Sequence, residues 1–170
     1  MSKGITSLLA KLRGLFGEEL SKTEMDQILR NRLGDTGVSI VALITREADR
    51  EVLLRLAFEH KWTVHLANTY DAAWDLAREN KARIFLYDRE RKGAEWRDVI
   101  QRMASSPQLI YAILVSKVAD DYLWNEVIRH GGHDLLAAPL READVLRAVR
   151  LACSWNDSMR VPPRLIKHYR

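Results

Sequence analysis

The chain has 170 residues, 47% hydrophobic and 29% charged, with a formal net charge of +4; this suits a soluble globular protein with one sizeable core. A single cysteine, Cys153, excludes an intramolecular disulfide, no CxxC or Cys/His cluster offers a structural zinc site, and no apolar run reaches the roughly 18 residues of a membrane span, so a cytoplasmic, reducing setting is expected. Residues 38–153 carry 17 basic and 17 acidic side chains, whereas residues 154–170 carry four and one, so the excess charge reads as a solvated basic tail and no nucleic-acid surface is expected.

In chain order, KGITSLLAKLRGLFG places Ile5, Leu8, Leu9, Leu12, Leu15 and Phe16 at helical spacing, cut by Lys11 and Arg13 and without a signal-peptide cleavage site. Ser21 and Glu24 form a capping box ahead of Met25, Ile28, Leu29 and Leu33, and Gly34 is a natural stop. Residues 1–37 are therefore read as a helical extension that docks on the remaining chain or self-associates. Contact of its basic amphipathic first helix with a membrane surface is the lesser alternative.

From residue 38 the pattern changes. VSIVALIT is a strand-length apolar run, and READREVLLRLAFEHK is helical with Val52, Leu53, Leu56 and Phe58 available to a core face. WTVHLAN, ARIFLYD, LIYAILVS and HDLLAAP then read as strands, alternating with helices in TYDAAWDLAREN, GAEWRDVIQRMASS, DDYLWNEVIRHGG and READVLRAVRLACSW. This is (βα)5 over residues 38–155, followed by the basic tail 156–170, and it predicts a parallel sheet covered on both faces. Gly131-Gly132 ends the fourth helix, where a positive φ is wanted, and Pro139 ends the fifth strand.

At the end of the third strand, Asp88 is either a reaction centre or the polar cap of a buried strand, since ligands of open α/β sheets bind at the carboxyl ends of the strands. Other residues point more weakly to chemistry. Cys153, among Leu151, Ala152 and Trp155, reads as a small buried hydrophobe. His130 and His133 lack a third metal ligand at recognisable spacing and read as solvated loop residues. The tryptophans at 62, 74, 96, 124 and 155 read as core or interface. Ser105 and Ser106 lie in no Gly-x-Ser-x-Gly turn and there is no Gly-rich phosphate loop, so independent enzyme activity is not expected. A flavodoxin-like domain binding FMN or another small anion would need a phosphate loop after the first strand, where TREAD stands.

The span from about Val38 to Trp155 resembles the receiver domain of bacterial two-component response regulators. VALITREADREVLLRLAFE follows that family's opening strand and helix, and GGHDLLAAP is similar to its GADDYLxKP signature. YDRERKGAEWRDVIQRM and SKVADDYLWNEVIRHGGHD resemble a subgroup with Trp in the third helix and an ADDxLWxEV fourth helix. The resemblance implies a flavodoxin-like, five-stranded parallel sheet of order 2-1-3-4-5. It also implies that Asp88 occupies the phosphoacceptor position and Ser116 that of the hydroxyl that contacts the phosphoryl group.

The family's remaining helpers are replaced. Thr45 and Arg46 stand where two Mg²⁺-binding acidic residues belong, Ala138 where a lysine precedes Pro139, and Leu135 where an aromatic residue often reports phosphorylation. Mg²⁺ is accordingly expected to bind weakly, with Arg46 or Arg89 pairing with Asp88 in its place and Glu47 as the next carboxylate able to reach the pocket. The resulting expectation is a stand-alone, pseudo-receiver-like signalling domain of a two-component phosphorelay, with Asp88 an impaired phosphoacceptor and a histidine kinase or other signalling protein as partner. The alternatives are a phosphorylation-independent docking or dimerisation module and, less favoured, a small-molecule-binding domain. The family's usual contact face carries Tyr122, Trp124, Asn125, Arg129, Arg147 and Arg150 here.

Overall fold

The computed structural model describes residues 37–160. Its strands are β1 (Ser39–Leu43), β2 (Thr63–Leu66), β3 (Ile84–Asp88), β4 (Tyr111–Ser116) and β5 (Asp134–Ala137). The helices that follow them in turn are α1 (Glu47–His60), α2 (Tyr70–Glu79), α3 (Trp96–Ala104), α4 (Asp121–Arg129) and α5 (Glu142–Arg160). All strand pairs are parallel and the sheet order is β2-β1-β3-β4-β5, the flavodoxin-like (βα)5 arrangement.

Alternation along the strands divides the core between the two faces, because successive side chains of a strand point to opposite sides. Val41, Leu43, Phe85, Tyr87, Ala112, Leu114 and Leu135 meet α2, α3 and α4 through Ala73, Ala77, Val99, Ile100, Met103, Leu123 and Val127. Ile40, Ala42, Ile84, Leu86, Ile113, Val115 and Leu136 meet α1 and α5 through Leu53, Leu56, Val145, Ala148, Val149 and Ala152. Each fully buried Leu, Ile or Phe among them contributes about 1.5–3 kcal/mol.

Helix starts follow local chemistry. Thr69 Oγ1 accepts from the Ala72 N–H at the start of α2, and Asp120 Oδ1 from the Leu123 N–H at the start of α4. At the end of α4, Gly131 takes φ +84°, and a Cβ on Gly132 would stand 2.6 Å from Val127 Cγ1 and 2.8 Å from Ile100 Cγ2. The first glycine supplies the turn and the second lets the chain pass close against α3 and α4.

Three sequence expectations are corrected. Phe58 is 89% exposed and takes no part in the core, whereas Leu53 and Leu56 are fully buried. The third helix begins at Trp96, leaving Gly93 to Glu95 in the preceding loop. The last helix continues to Arg160, past Trp155 and into the segment read as tail. The expected N-terminal helices, and the tail beyond residue 160, lie outside the described residues. Among the described residues no helix is long and apolar enough to cross a membrane. Trp96 is buried, Trp62, Trp74, Trp155 and Cys153 are packed against the core while partly exposed, and Trp124 is 45% exposed.

Candidate functional site

The register aligns Asp88 with Val115 and Ser116 with Ala137, so Asp88 and Ser116 emerge side by side at the carboxyl edge of the sheet. Both are fully buried. A buried carboxylate needs donors, and the loops supply them: the Thr45 N–H donates to Asp88 Oδ2 at 3.1 Å and the Glu90 N–H to Oδ1 at 3.2 Å.

Arg46 supplies the charge. It is the residue before α1, and its side chain makes no helix cap. The guanidinium turns into the pocket, with Nε 2.6 Å from Asp49 Oδ2 and Nη1 3.4 Å from Asp88 Oδ1 and 3.2 Å from Glu90 Oε2. Burial works against its charge, but the hydrogen bonds to Asp49 and Glu90 and the attraction of Asp88 and Asp49 outweigh it and raise its pKa. Asp49 is 1% exposed and also accepts from the Leu140 N–H at 2.7 Å, tying α1 to the loop after β5. One guanidinium thus bridges three carboxylates whose other oxygen contacts include four backbone amides, of Thr45, Glu90, Lys117 and Leu140.

Ser116 faces the far side of this cluster. Its Oγ donates to Glu90 Oε1 at 3.1 Å and accepts from the Val118 N–H at 3.2 Å, with Arg89 Nη1 at 3.5 Å. The Lys117 N–H donates to the same Glu90 oxygen at 3.0 Å. Burial raises the pKa of Glu90, but the Lys117 amide, the neighbouring Asp88 carboxyl, the Arg46 guanidinium and the Ser116 hydroxyl together outweigh it, and the carboxyl lies below its ordinary value.

Of the two arginines expected to pair with Asp88, Arg46 does so and Arg89 reaches Ser116 in its place. Glu47 does not reach the pocket: its side chain is 74% exposed and pairs with Arg50 at 3.5 Å. The carboxylates that complete the cluster are Asp49 and Glu90. Asp49 carried a signal, since Arg46 and Asp49 are three residues apart across a helix start and so share a face. Glu90 carried none, because Ser116 is 26 residues away. Thr45 contributes its backbone N–H while its side chain points outward, and Ala138 brings only a methyl group to the end of β5. Leu135 is buried within the core on the face of α2, α3 and α4.

The two histidines diverge. His130 lies 3.8 Å from Glu126 and against the edge of Trp96. His133 is not a solvated loop residue: it stacks on Tyr111 at 4.6 Å between centroids, meets Trp155 edge-on, and accepts the Ala112 N–H on Nδ1 at 3.1 Å. Burial lowers its pKa and favours the neutral ring.

No protein-family model and no curated protein matches the sequence. Solved structures do. A response regulator from Thermotoga maritima matches with a TM-score of 0.61 at 19% identity, over 69% of this chain and 98% of that one. A CheY-like response regulator receiver domain protein from Methanospirillum hungatei JF-1 reaches 0.64 at 12% identity, over 73% and 99%. The signal receiver domain of an HD domain-containing protein from Pseudomonas fluorescens Pf-5 reaches 0.63 at 19% identity, over 72% and 98%. The chain therefore has the fold of response-regulator receiver domains, at 12–19% identity to these three.

Proposed function

We propose that this chain is a receiver-fold signalling module that acts through protein–protein contact, with a strand-end pocket that needs neither a phosphoryl group nor Mg²⁺. The observation that carries the reading is the guanidinium of Arg46 among Asp49, Asp88 and Glu90. A divalent cation at this place prefers several hard oxygen ligands and retains waters, and the residues do not fit one: Thr45 is neutral and turned outward, and Arg46 already lies between the carboxylates. Phosphoryl transfer depends on positioning and charge stabilisation, and here both Asp88 oxygens are engaged while Glu90 holds the donors of Ser116 and Lys117. Asp88 is then an anchor for the loops after β1 and β3.

For output, the segment leading into and forming α4 offers apolar side chains on two flanks, Trp124 and Ile128 sharing one and Tyr122 lying about 200° around the helix from Trp124. It contributes Val118, Tyr122, Trp124 and Ile128, four of the eight large hydrophobics that stand exposed among the described residues. Arg129, at the end of the same helix, pairs with Glu126 at 2.8 Å, and Arg147 of α5 pairs with Asp134 of β5 at 3.3 Å. Aromatic residues with arginine suit the centre of a protein contact. The partner is a histidine kinase or another signalling protein.

A second reading, a slow phosphoacceptor, draws on the adjacency of Asp88 and Ser116 in the sheet register. Incubating the protein with a small-molecule phosphodonor in Mg²⁺ buffer and following intact mass separates the two. The docking reading expects no adduct that the Asp88→Asn variant lacks. An Asp88-dependent phosphate adduct on the wild-type protein overturns it in favour of the second.

A further inference from the structure

Glu90 makes an unusual set of contacts for a loop carboxylate that is one-third exposed. One oxygen takes hydrogen bonds from the Ser116 hydroxyl and the Lys117 amide, and the other is paired with Arg46. Its own backbone N–H donates to Asp88. These four contacts join the loops after β1, β3 and β4 at a single residue.

We infer that Glu90 is an intramolecular ligand, a tethered carboxylate that occupies the anion-accepting groups of Ser116 and Lys117 and thereby fixes the loop between β4 and α4 in one arrangement. This deepens the docking reading and rests on it. The consequence runs outward along the chain. Ser116 Oγ also accepts from the Val118 N–H, and Asp120, two residues on, caps α4 through the Leu123 N–H. Holding Ser116 and Lys117 therefore positions the start of the helix that exposes Tyr122 and Trp124. Glu90 sets the presentation of that surface constitutively, and a partner that draws Glu90 away would release it.

Amide hydrogen exchange on the full chain tests this. In Glu90→Ala, exchange at the Lys117 amide should accelerate at least ~10-fold, the scale set by losing a hydrogen bond to a charged acceptor, and Val118 should follow. Amides in the middle of β4 should keep their wild-type rates, which shows that the fold is intact. Glu90→Gln retains an acceptor without the charge and should fall between the two. Unchanged exchange at Lys117 in a folded Glu90→Ala variant overturns the inference. The outcomes are separable: phosphate on wild-type Asp88 removes the docking reading and leaves the exchange result standing, whereas unchanged exchange removes only the tether.

Discussion

Arg46→Met will destabilise the protein by about 3 kcal/mol at neutral pH, read from urea unfolding, because it strips the cation from carboxylates that stay buried. Asp88 and Asp49 are 0% and 1% exposed and cannot turn to water without dismantling the loops that hold them. Methionine keeps most of the apolar stem, so the loss reports charge more than packing. Arg46 is also among the groups that hold the Glu90 carboxyl below its ordinary value, and its loss removes that contribution. A group with a lowered folded pKa adds stability above its unfolded pKa that is lost as pH falls through the folded one, so the deficit should narrow as pH falls toward the carboxylate range. A variant that loses less than about 0.5 kcal/mol, the ordinary scale of a surface substitution, would mean that Arg46 is a peripheral ion pair.

The second large effect is a gain. Replacing Thr45 and Arg46 by Asp, Ala138 by Lys and Glu90 by Ala should let Asp88 accept phosphate from a small-molecule donor at least ~10-fold faster than the parent, a barrier change of about 1.4 kcal/mol. The two aspartates rebuild oxygen ligands for Mg²⁺, the lysine returns a cation to the end of β5, and the alanine frees the Ser116 hydroxyl and Lys117 amide that Glu90 now occupies. Circular dichroism in Mg²⁺ buffer checks folding, and adding Asp88→Asn supplies the blank for intact-mass spectrometry. A folded variant that gains no Asp88-dependent phosphate would show that backbone geometry, beyond the altered side chains, has moved away from phosphotransfer.

The architecture was legible because strand and helix periods differ and the chain alternates cleanly between them from residue 38 onward. Phe58 shows where composition misleads. It stands two residues after Leu56, about 200° around a helix of 3.6 residues per turn, so it faces away from the stripe that Leu53 and Leu56 form. His133 shows the limit of reading a residue as loop: it precedes β5, yet backbone pairing to Ala112 and the rings of Tyr111 and Trp155 enclose it. At the site, Asp88 was visible as the polar residue that ends an apolar strand, whereas Ser116 and Arg46 were singled out by the resemblance to receiver domains. Glu90 became meaningful only when parallel pairing of β3 and β4 set its loop beside Ser116 and Lys117. A sequence shows which charges are present more readily than which of them face each other.

On the function proposed above, Arg46 permanently takes the place of a metal ion at this pocket. Titrating Mg²⁺ into the wild-type protein while following the NMR shifts of the Thr45, Glu90 and Lys117 amides tests it most directly, since all three donate to carboxylates of the cluster. No saturable shift is expected up to millimolar Mg²⁺. Saturable binding at sub-millimolar concentration, centred on those amides, would contradict it.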